Sequence, residues 1–293
     1  MTIEFLLPLA PVVDRDVTAA LTEDIGAGDL TAQLVPSGQP ARATVISREA
    51  GVLCGCAWFD ACFQRLDPET RITWAANDGD RIAPGQTLCT IEGDARALLS
   101  AERSALNFLQ LLSAVASKAR IYADAIADTK AQVVDTRKTL PGLRVAQKYA
   151  VRVGGGANHR LALWDAILIK ENHILAAGGI RPALEAARAT AEAAGERCRF
   201  IQIEVENLDE LREALDAGAI MILLDNFSLD MMREASNINA GRAILEASGN
   251  VTLETLRPIA LTGVDRISIG ALTKDVTAMD LSMRFADQAS AGA

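Results

Sequence analysis

Both histidines of this chain, and seven of its cations, fall inside one stretch of an otherwise acidic sequence. Between Asp135 and His173 the chain reads DTRKTLPGLR, then KYAV, GGGANHR and IKENH. Arg137, Lys138, Arg144, Lys148, Arg152, Arg160 and Lys170 stand there against Asp135, Asp165 and Glu171, a local charge of +4 in a chain of formal charge −9. Like charges packed this closely repel one another unless an anion sits among them. Guanidinium forks and ammonium groups are the usual holders of carboxylates and phosphates. The residue types therefore point to an enzyme for a small substrate carrying several negative charges. His159, next to Asn158 and Arg160 after three glycines, and His173, after Lys170-Glu171-Asn172, both read as polar loop positions.

Further along come carboxylates and glycines suited to the rest of such a substrate. Glu204 and Glu206, two residues apart, point to the same face of a strand. With Asp225 they fit contacts to Mg²⁺ or to sugar hydroxyls. Ser248-Gly249-Asn250 and Gly270-Ala271 follow late apolar runs, where backbone N–H groups can cradle a phosphate. Gly154–Gly156 lacks the spacing of a dinucleotide-binding loop. It reads as a tight turn that brings His159 and Arg160 to the site.

The elements that must position these groups follow from periodicity. Short apolar runs at Ala131–Asp135, Ala166–Ile169, Phe200–Val205, Ile220–Leu224, Ala243–Glu246 and Arg266–Ile269 alternate with helical patterns at Arg181–Ala194, Leu208–Ala217, Asp230–Asn237 and Leu253–Leu261. Strands separated by helices make parallel βα units, here a small α/β barrel with an open doubly wound sheet as the alternative. Either architecture puts ligands at the carboxyl ends of the strands, where the charged residues lie. The first part is different: a helix over residues 14 to 25, strands at Ala41–Ser47, Ile72–Trp74 and Thr87–Ile91, a helix at Ala57–Leu66, and a long helix from Ala95 to about Asp128. The piece DGDRIAPGQTLCTIEGD resembles the sheet of biotinyl or lipoyl carrier domains but has no lysine to carry a prosthetic group. The chain divides near residue 115.

With 293 residues, half of them apolar, a sizeable core can form and disorder is not expected. A pI near 4.9 argues against a general nucleic-acid or membrane-surface binder. No apolar run is long enough to span a membrane. MTIEFLLPLAPVVDRD lacks the basic start of a signal peptide, so a cytoplasmic location is expected. Five cysteines without framework spacing read as reduced thiols, and Cys54-Gly-Cys56 as small residues at a strand and helix start.

DTRKTLPGLR, KYAV, GGGANHR, IKENH, LLDN, EASGN and SIGALTK, in this order and spacing, resemble the quinolinate phosphoribosyltransferase family. The resemblance runs from LTEDIGAGDLT near residue 21 to DLSMRF near the C-terminus. It implies the type II phosphoribosyltransferase fold: an N-terminal α/β sandwich over residues 1–115, completed by residues 276–293, and an incomplete parallel α/β barrel over 116–275. It implies transfer of phosphoribosyl from phosphoribosyl pyrophosphate to quinolinate with loss of CO₂, Mg²⁺ being present and no organic cofactor needed.

The resemblance also assigns roles. Thr136, Arg137, Lys138, His159, Arg160 and Lys170 match the family's cationic pocket for the two carboxylates and the phosphates. Glu204 and Asp225 match acids that meet ribose hydroxyls and Mg²⁺, and Ser248, Gly249, Asn250, Gly270 and Ala271 match its phosphate loops. Arg103, which the sequence alone reads as an ordinary exposed helix arginine, matches one donated across the interface of a homodimer or higher even oligomer. Lys138, Lys170, Glu204 and Asp225 are the expected catalytic set. Which of Lys138, Lys170 or water protonates the ring carbon after decarboxylation stays open, as does the role of His173. Leu140 stands where many members have Thr, and Lys274 where many have His. A nicotinate-specific enzyme on the same scaffold and a non-catalytic carrier are the competing readings.

Overall fold

The computed structural model describes residues 9–286. Residues 1–8, on which part of the signal-peptide reading rests, and the last residues of the expected C-terminal completion lie outside them. The elements in chain order are α1 (Leu9–Ile25), β1 (Pro40–Ser47), β2 (Gly51–Val52), α2 (Cys56–Leu66), β3 (Arg71–Trp74), β4 (Arg81–Ile82), β5 (Thr87–Asp94) and α3 (Ala95–Asp124). Then follow β6 (Gln132–Val134), α4 (Arg144–Val153), β7 (Ile167–Ile169), α5 (Glu171–Ala177), α6 (Ile180–Ala194), β8 (Ile201–Val205), α7 (Leu208–Asp216), β9 (Met221–Asp225) and α8 (Leu229–Asn239). β10 (Ile244–Ser248), α9 (Leu253–Ala260), β11 (Arg266–Ser268), α10 (Ala271–Lys274) and β12 (Leu281–Phe285) complete the order.

The chain forms two compact units. Among the described residues, one holds residues 9–120, 140–155 and 275–286; the other holds Ile121–Thr139 and Gly156–Lys274.

In the first unit an antiparallel sheet has the order β12-β1-β5-β3. The buried positions of β1, Ala43, Val45 and Ser47, alternate as a two-residue period requires. Leu281 and Met283 bury the matching positions of β12, which pairs Ala43 with Phe285 and Ser47 with Leu281. Trp58, Phe59 and Phe63 of α2 are fully buried. Phe59 meets Phe63 at 4.9 Å and Trp74 at 5.3 Å between ring centroids. Each such ring contributes about 1.5–3 kcal/mol by leaving water. Ser117 and Ser113 of α3 accept the amides of Val52 and Cys54 at 2.7 and 3.0 Å, which satisfies backbone groups that β4 does not reach.

Cys54 is buried, and Cys56 opens α2 under the Asp78 carboxylate, which accepts the Gly55 and Cys56 amides at 3.0 and 3.1 Å. Burial and then Asp78 raise the Cys56 thiol. These groups serve a helix start, as the small-residue reading expects.

The second unit is a parallel sheet of six strands in the order β6-β11-β10-β9-β8-β7. A bridge joins Val134 of β6 to Ala157 in parallel. The strands therefore run round as an incomplete barrel, open among the described residues between Ala157 and β7. All six expected strands are present within two residues at each end. The outer helices start where the sequence supplies caps. Asn207 accepts the amides of Asp209 and Glu210 at 3.1 and 2.9 Å, Ser228 that of Met231 at 3.2 Å, and Thr252 that of Thr255 at 3.3 Å.

Candidate active site

The carboxyl ends of the six parallel strands gather most of the expected groups. β6 runs into Asp135, which is fully buried and accepts the Asn158 side-chain amide at 2.6 Å and the His159 backbone amide at 2.9 Å. Asp135 thus ties the GGGANHR segment to the end of β6. Beyond it the chain turns: Thr136 Oγ1 accepts the Lys138 amide at 3.0 Å, and Thr273 Oγ1 donates to the Lys138 carbonyl at 2.7 Å. Arg137 and Lys138 are left exposed. The Lys138 side chain crosses Gly270, where an added Cβ would stand 2.9 Å from Lys138 Cδ. A side chain at 270 would push this lysine's flexible stem aside from its path along the loop after β11.

His159 and Arg160 are both buried, at 6 % and 7 % exposure. His159 lies in a loop, as expected, but that loop is buried against the barrel strands and not open to water. Its Nδ1 accepts the Arg160 amide at 2.7 Å and its Nε2 meets Gln202 Oε1 at 2.7 Å. The Arg160 guanidinium donates to the Ala166 carbonyl at 3.4 Å. Burial and then the charge of Arg137 pull it below its ordinary value, with Asp165 opposing. Arg137 and Arg160 therefore act on each other as neighbouring like charges, an arrangement that an anion between them relieves.

After β7, Lys170 Nζ pairs with Glu204 Oε2 of β8 at 2.6 Å. His173 is not in a loop. It lies in the first turn of α5, where its Nδ1 accepts the Lys170 amide at 3.0 Å. Glu206 follows β8, and its carboxyl is raised first by contact with Glu171, with Glu210 and Asp225 adding to the repulsion. The oxygen donors Glu171, Glu206 and Asp225 thus crowd one region. Among the described residues no three His, Cys, Asp or Glu side chains gather to hold a metal by themselves. Glu204 and Asp225, on the adjacent strands β8 and β9, offer too few oxygens to hold a hard divalent cation alone, so one bound there would keep water and share a phosphate group.

β9 ends at Asp225, which accepts the Asn226 side-chain amide at 2.8 Å. Asn226, Gly249 and Asn250 all adopt left-handed backbone, at φ 56°, 113° and 42°. A Cβ at Gly249 would strike Asn226 Oδ1 at 2.2 Å. The Asn226 amide donates to the Ser248 carbonyl at 3.0 Å, so the loops after β9 and β10 are locked together. Ser248, Gly249, Asn250, Gly270 and Ala271 form the rim that these loops present.

The structure thus gathers Thr136, Arg137, Lys138, His159, Arg160, Lys170, Glu204, Asp225, Ser248, Gly249, Asn250, Gly270 and Ala271 in one unit. Arg103 is exposed on α3 in the other unit. Arg144, Lys148 and Arg152, counted in the cationic stretch, belong to α4, also in the other unit, where Lys148 is fully buried. Gly154 belongs there too: its Cβ would stand 2.3 Å from the Ala116 carbonyl of α3. Close packing of helices, as well as a turn, explains the triple glycine. The sequence reading missed Thr273, Gln202, Glu246 and Arg266. The last three are charged or amide groups inside apolar strand runs, and that misplacement is the signal that could have marked them.

Comparison with known proteins places both parts of the chain in one family. Residues 16–113 match the model of the quinolinate phosphoribosyl transferase N-terminal domain, and residues 115–284 that of its C-terminal domain. A probable nicotinate-nucleotide pyrophosphorylase [carboxylating] of Bacillus subtilis is 42 % identical over 261 residues, 89 % of each chain. A nicotinate-nucleotide pyrophosphorylase [carboxylating] of Mycobacterium leprae is 41 % identical over 277 residues, 91 % of this chain and 95 % of that one. The solved structure of the nicotinate-nucleotide pyrophosphorylase from Francisella tularensis superposes with a TM-score of 0.92 at 41 % identity, covering 98 % of this chain and all of that one.

Proposed function

The chain belongs to the quinolinate phosphoribosyltransferase family, and from that premise we propose that it joins quinolinate to the ribose of phosphoribosyl pyrophosphate, releasing pyrophosphate and CO₂ and leaving nicotinate mononucleotide. The observation that carries this reading is the gathering of Arg137, Lys138, Arg160 and Lys170 in one unit with Glu204 and Asp225 at the carboxyl ends of the parallel strands, Lys170 Nζ lying 2.6 Å from Glu204 Oε2.

The chemistry assigns the remaining groups. The pyridine nitrogen attacks C1 of the ribose as pyrophosphate departs with the bonding electron pair. Two anionic reactants that repel in water must be held together, so positioning and charge stabilisation supply most of the acceleration. Arg137 and Arg160 hold the acid, with His159, expected to touch it, instead bound on both ring nitrogens to the Arg160 amide and Gln202. Lys138 and Lys170 hold the phosphates, and Glu204 and Asp225 the ribose hydroxyls. The loops at Ser248, Gly249, Asn250, Gly270 and Ala271 take the 5′-phosphate. Once the nitrogen is quaternary, the C2–carboxylate bond breaks, CO₂ leaves, and the electron pair left on the ring carbon is stabilised by the adjacent positive nitrogen. A proton from Lys138, Lys170 or water then completes the product. Glu204 and Asp225 are the residues that would hold a magnesium ion; when bound with pyrophosphate it neutralises charge on the leaving group. No organic cofactor enters this scheme. Arg103 of a second copy completes the acid subsite, so the working form is a homodimer or a higher even oligomer. Among the described residues no helix is long and apolar enough to cross a membrane.

Substrate choice tests the reading. Turnover is expected with quinolinate, to need Mg²⁺, and to be far weaker with nicotinate, because the missing carboxylate leaves a buried guanidinium unpaired. Equal rates on the two acids would remove the dicarboxylate assignment.

A further inference from the structure

One layer below the site the barrel carries a second set of polar groups. Gln202 precedes Glu204 by two residues on β8, Glu246 precedes Ser248 by two on β10, and Arg266 precedes Ser268 by two on β11. A two-residue period puts each pair on one face, so these three side chains underlie strand ends that belong to the site. Gln202 and Glu246 are fully buried and Arg266 is 9 % exposed. Glu246 Oε2 stands 3.0 Å from Arg266 Nε, and Glu246 Oε1 stands 3.6 Å from His159 Nε2. Phe200 closes one side of the imidazole edge-on, at 5.4 Å between centroids.

Such a layer is costly. A buried carboxylate with incomplete hydrogen bonding weakens a core. Neither Glu246 oxygen makes a well-formed hydrogen bond, nor does the Gln202 amide nitrogen. An apolar core would serve stability better, so these groups require another explanation.

The hydrogen bonds around His159 supply it. Nδ1 accepts the Arg160 amide and so carries no proton. The ring is therefore neutral with its proton on Nε2, and the Gln202 oxygen, not its nitrogen, must face that proton. The negative Glu246 beside the N–H favours this tautomer and ring orientation over the alternative. An imidazole turned the other way would leave the Arg160 amide without its acceptor, and Arg160 belongs to the proposed acid subsite.

We propose that Glu246, with Gln202, is a positioning residue for the acid substrate: it fixes His159 as the Nε2–H tautomer, and His159 in turn fixes the backbone from which Arg160 faces Arg137. This deepens the functional reading above and rests on it.

The chain has only two histidines, so ¹⁵N-imidazole NMR reads the device directly, with His173→Asn used to assign the spectrum. The wild-type protein should show His159 with a bare Nδ1 and a protonated Nε2. In Glu246→Gln and Gln202→Met the signals should shift or split into both tautomers. Quinolinate should bind about tenfold more weakly to these variants. Affinity for phosphoribosyl pyrophosphate should stay near wild type, measured below the lowered melting temperature expected of Glu246→Gln, which leaves the Arg266 guanidinium without its charge partner. A wild-type His159 protonated at Nδ1, or already mixed, overturns the proposal without any variant having to fold. So does unchanged quinolinate affinity in the variants, or equal loss for both substrates, which marks a merely structural role. A wild-type protein with no quinolinate affinity at all strikes the functional reading instead, and the tautomer in its spectrum still decides whether the lock exists.

Discussion

At the scale of single residues, the site divides into groups that meet the acid and groups that meet the sugar phosphate. Arg137 and Arg160 face the first. Arg137→Ala or Arg160→Ala should weaken quinolinate binding by about 1.5–3 kcal/mol, the loss of one charge-assisted contact, or roughly ten- to a hundredfold in Kd. Asp225→Ala should instead weaken phosphoribosyl pyrophosphate and spare quinolinate. Equilibrium titration of each variant with each substrate checks this, and a variant that loses both substrates equally contradicts the division. Most of these residues were legible in the sequence because they combine charge with strand-end positions. His159 lies in a loop as expected, but its burial was not legible because its setting depends on Gln202 and Glu246, far along the chain and on other strands. Neighbouring residues such as Asn158 and Arg160 make it look polar, whereas the fold buries it.

At the scale of elements, the alternation of short apolar runs with capped helices made the six parallel strands legible. Helix α4 was not, because Arg144, Lys148 and Arg152 were counted as part of one anion-binding stretch. Their spacing of four residues is helical, and Lys148 is buried. The first turn of α5 was also hidden, since Lys-Glu-Asn-His has the composition of a loop. In the N-terminal unit the junction of α2 with β3 stores an electrostatic cost. Burial raises the Asp60 carboxyl from 3.8 to about 6, although Trp74 donates to it at 2.9 Å. Between those values the native state holds a proton that the unfolded chain has released. Stability therefore falls as pH rises through this window and stays lower above it. Asp60→Asn keeps the acceptor for Trp74 and removes the charge. It should melt higher than wild type at about pH 7.5, and the gain should vanish below about pH 4. Melting curves across this range check it; a variant less stable at every pH would show that the carboxylate itself is needed.

At the scale of the whole molecule, one proposed ligand stands apart. Arg103 is exposed on α3, in a different unit from the barrel loops. If a second copy donates it, Arg103→Ala and Arg137→Ala proteins should each be nearly inactive alone and should recover activity when mixed under subunit exchange. A mixed dimer has one site with both defects and one with neither, so equal random mixing should restore about one quarter of wild-type sites. No recovery, with exchange shown by mass, would put Arg103 in its own subunit's site or outside the site. The central claim is a coupled phosphoribosyl transfer and decarboxylation, and the most direct measurement follows the carbon. Quinolinate labelled with ¹³C in the carboxylate next to the ring nitrogen is incubated with the protein, phosphoribosyl pyrophosphate and Mg²⁺. Labelled CO₂, pyrophosphate and unlabelled nicotinate mononucleotide should appear in equal amounts, and none should form without phosphoribosyl pyrophosphate. Nucleotide that keeps the label, or CO₂ released without nucleotide, would contradict the account.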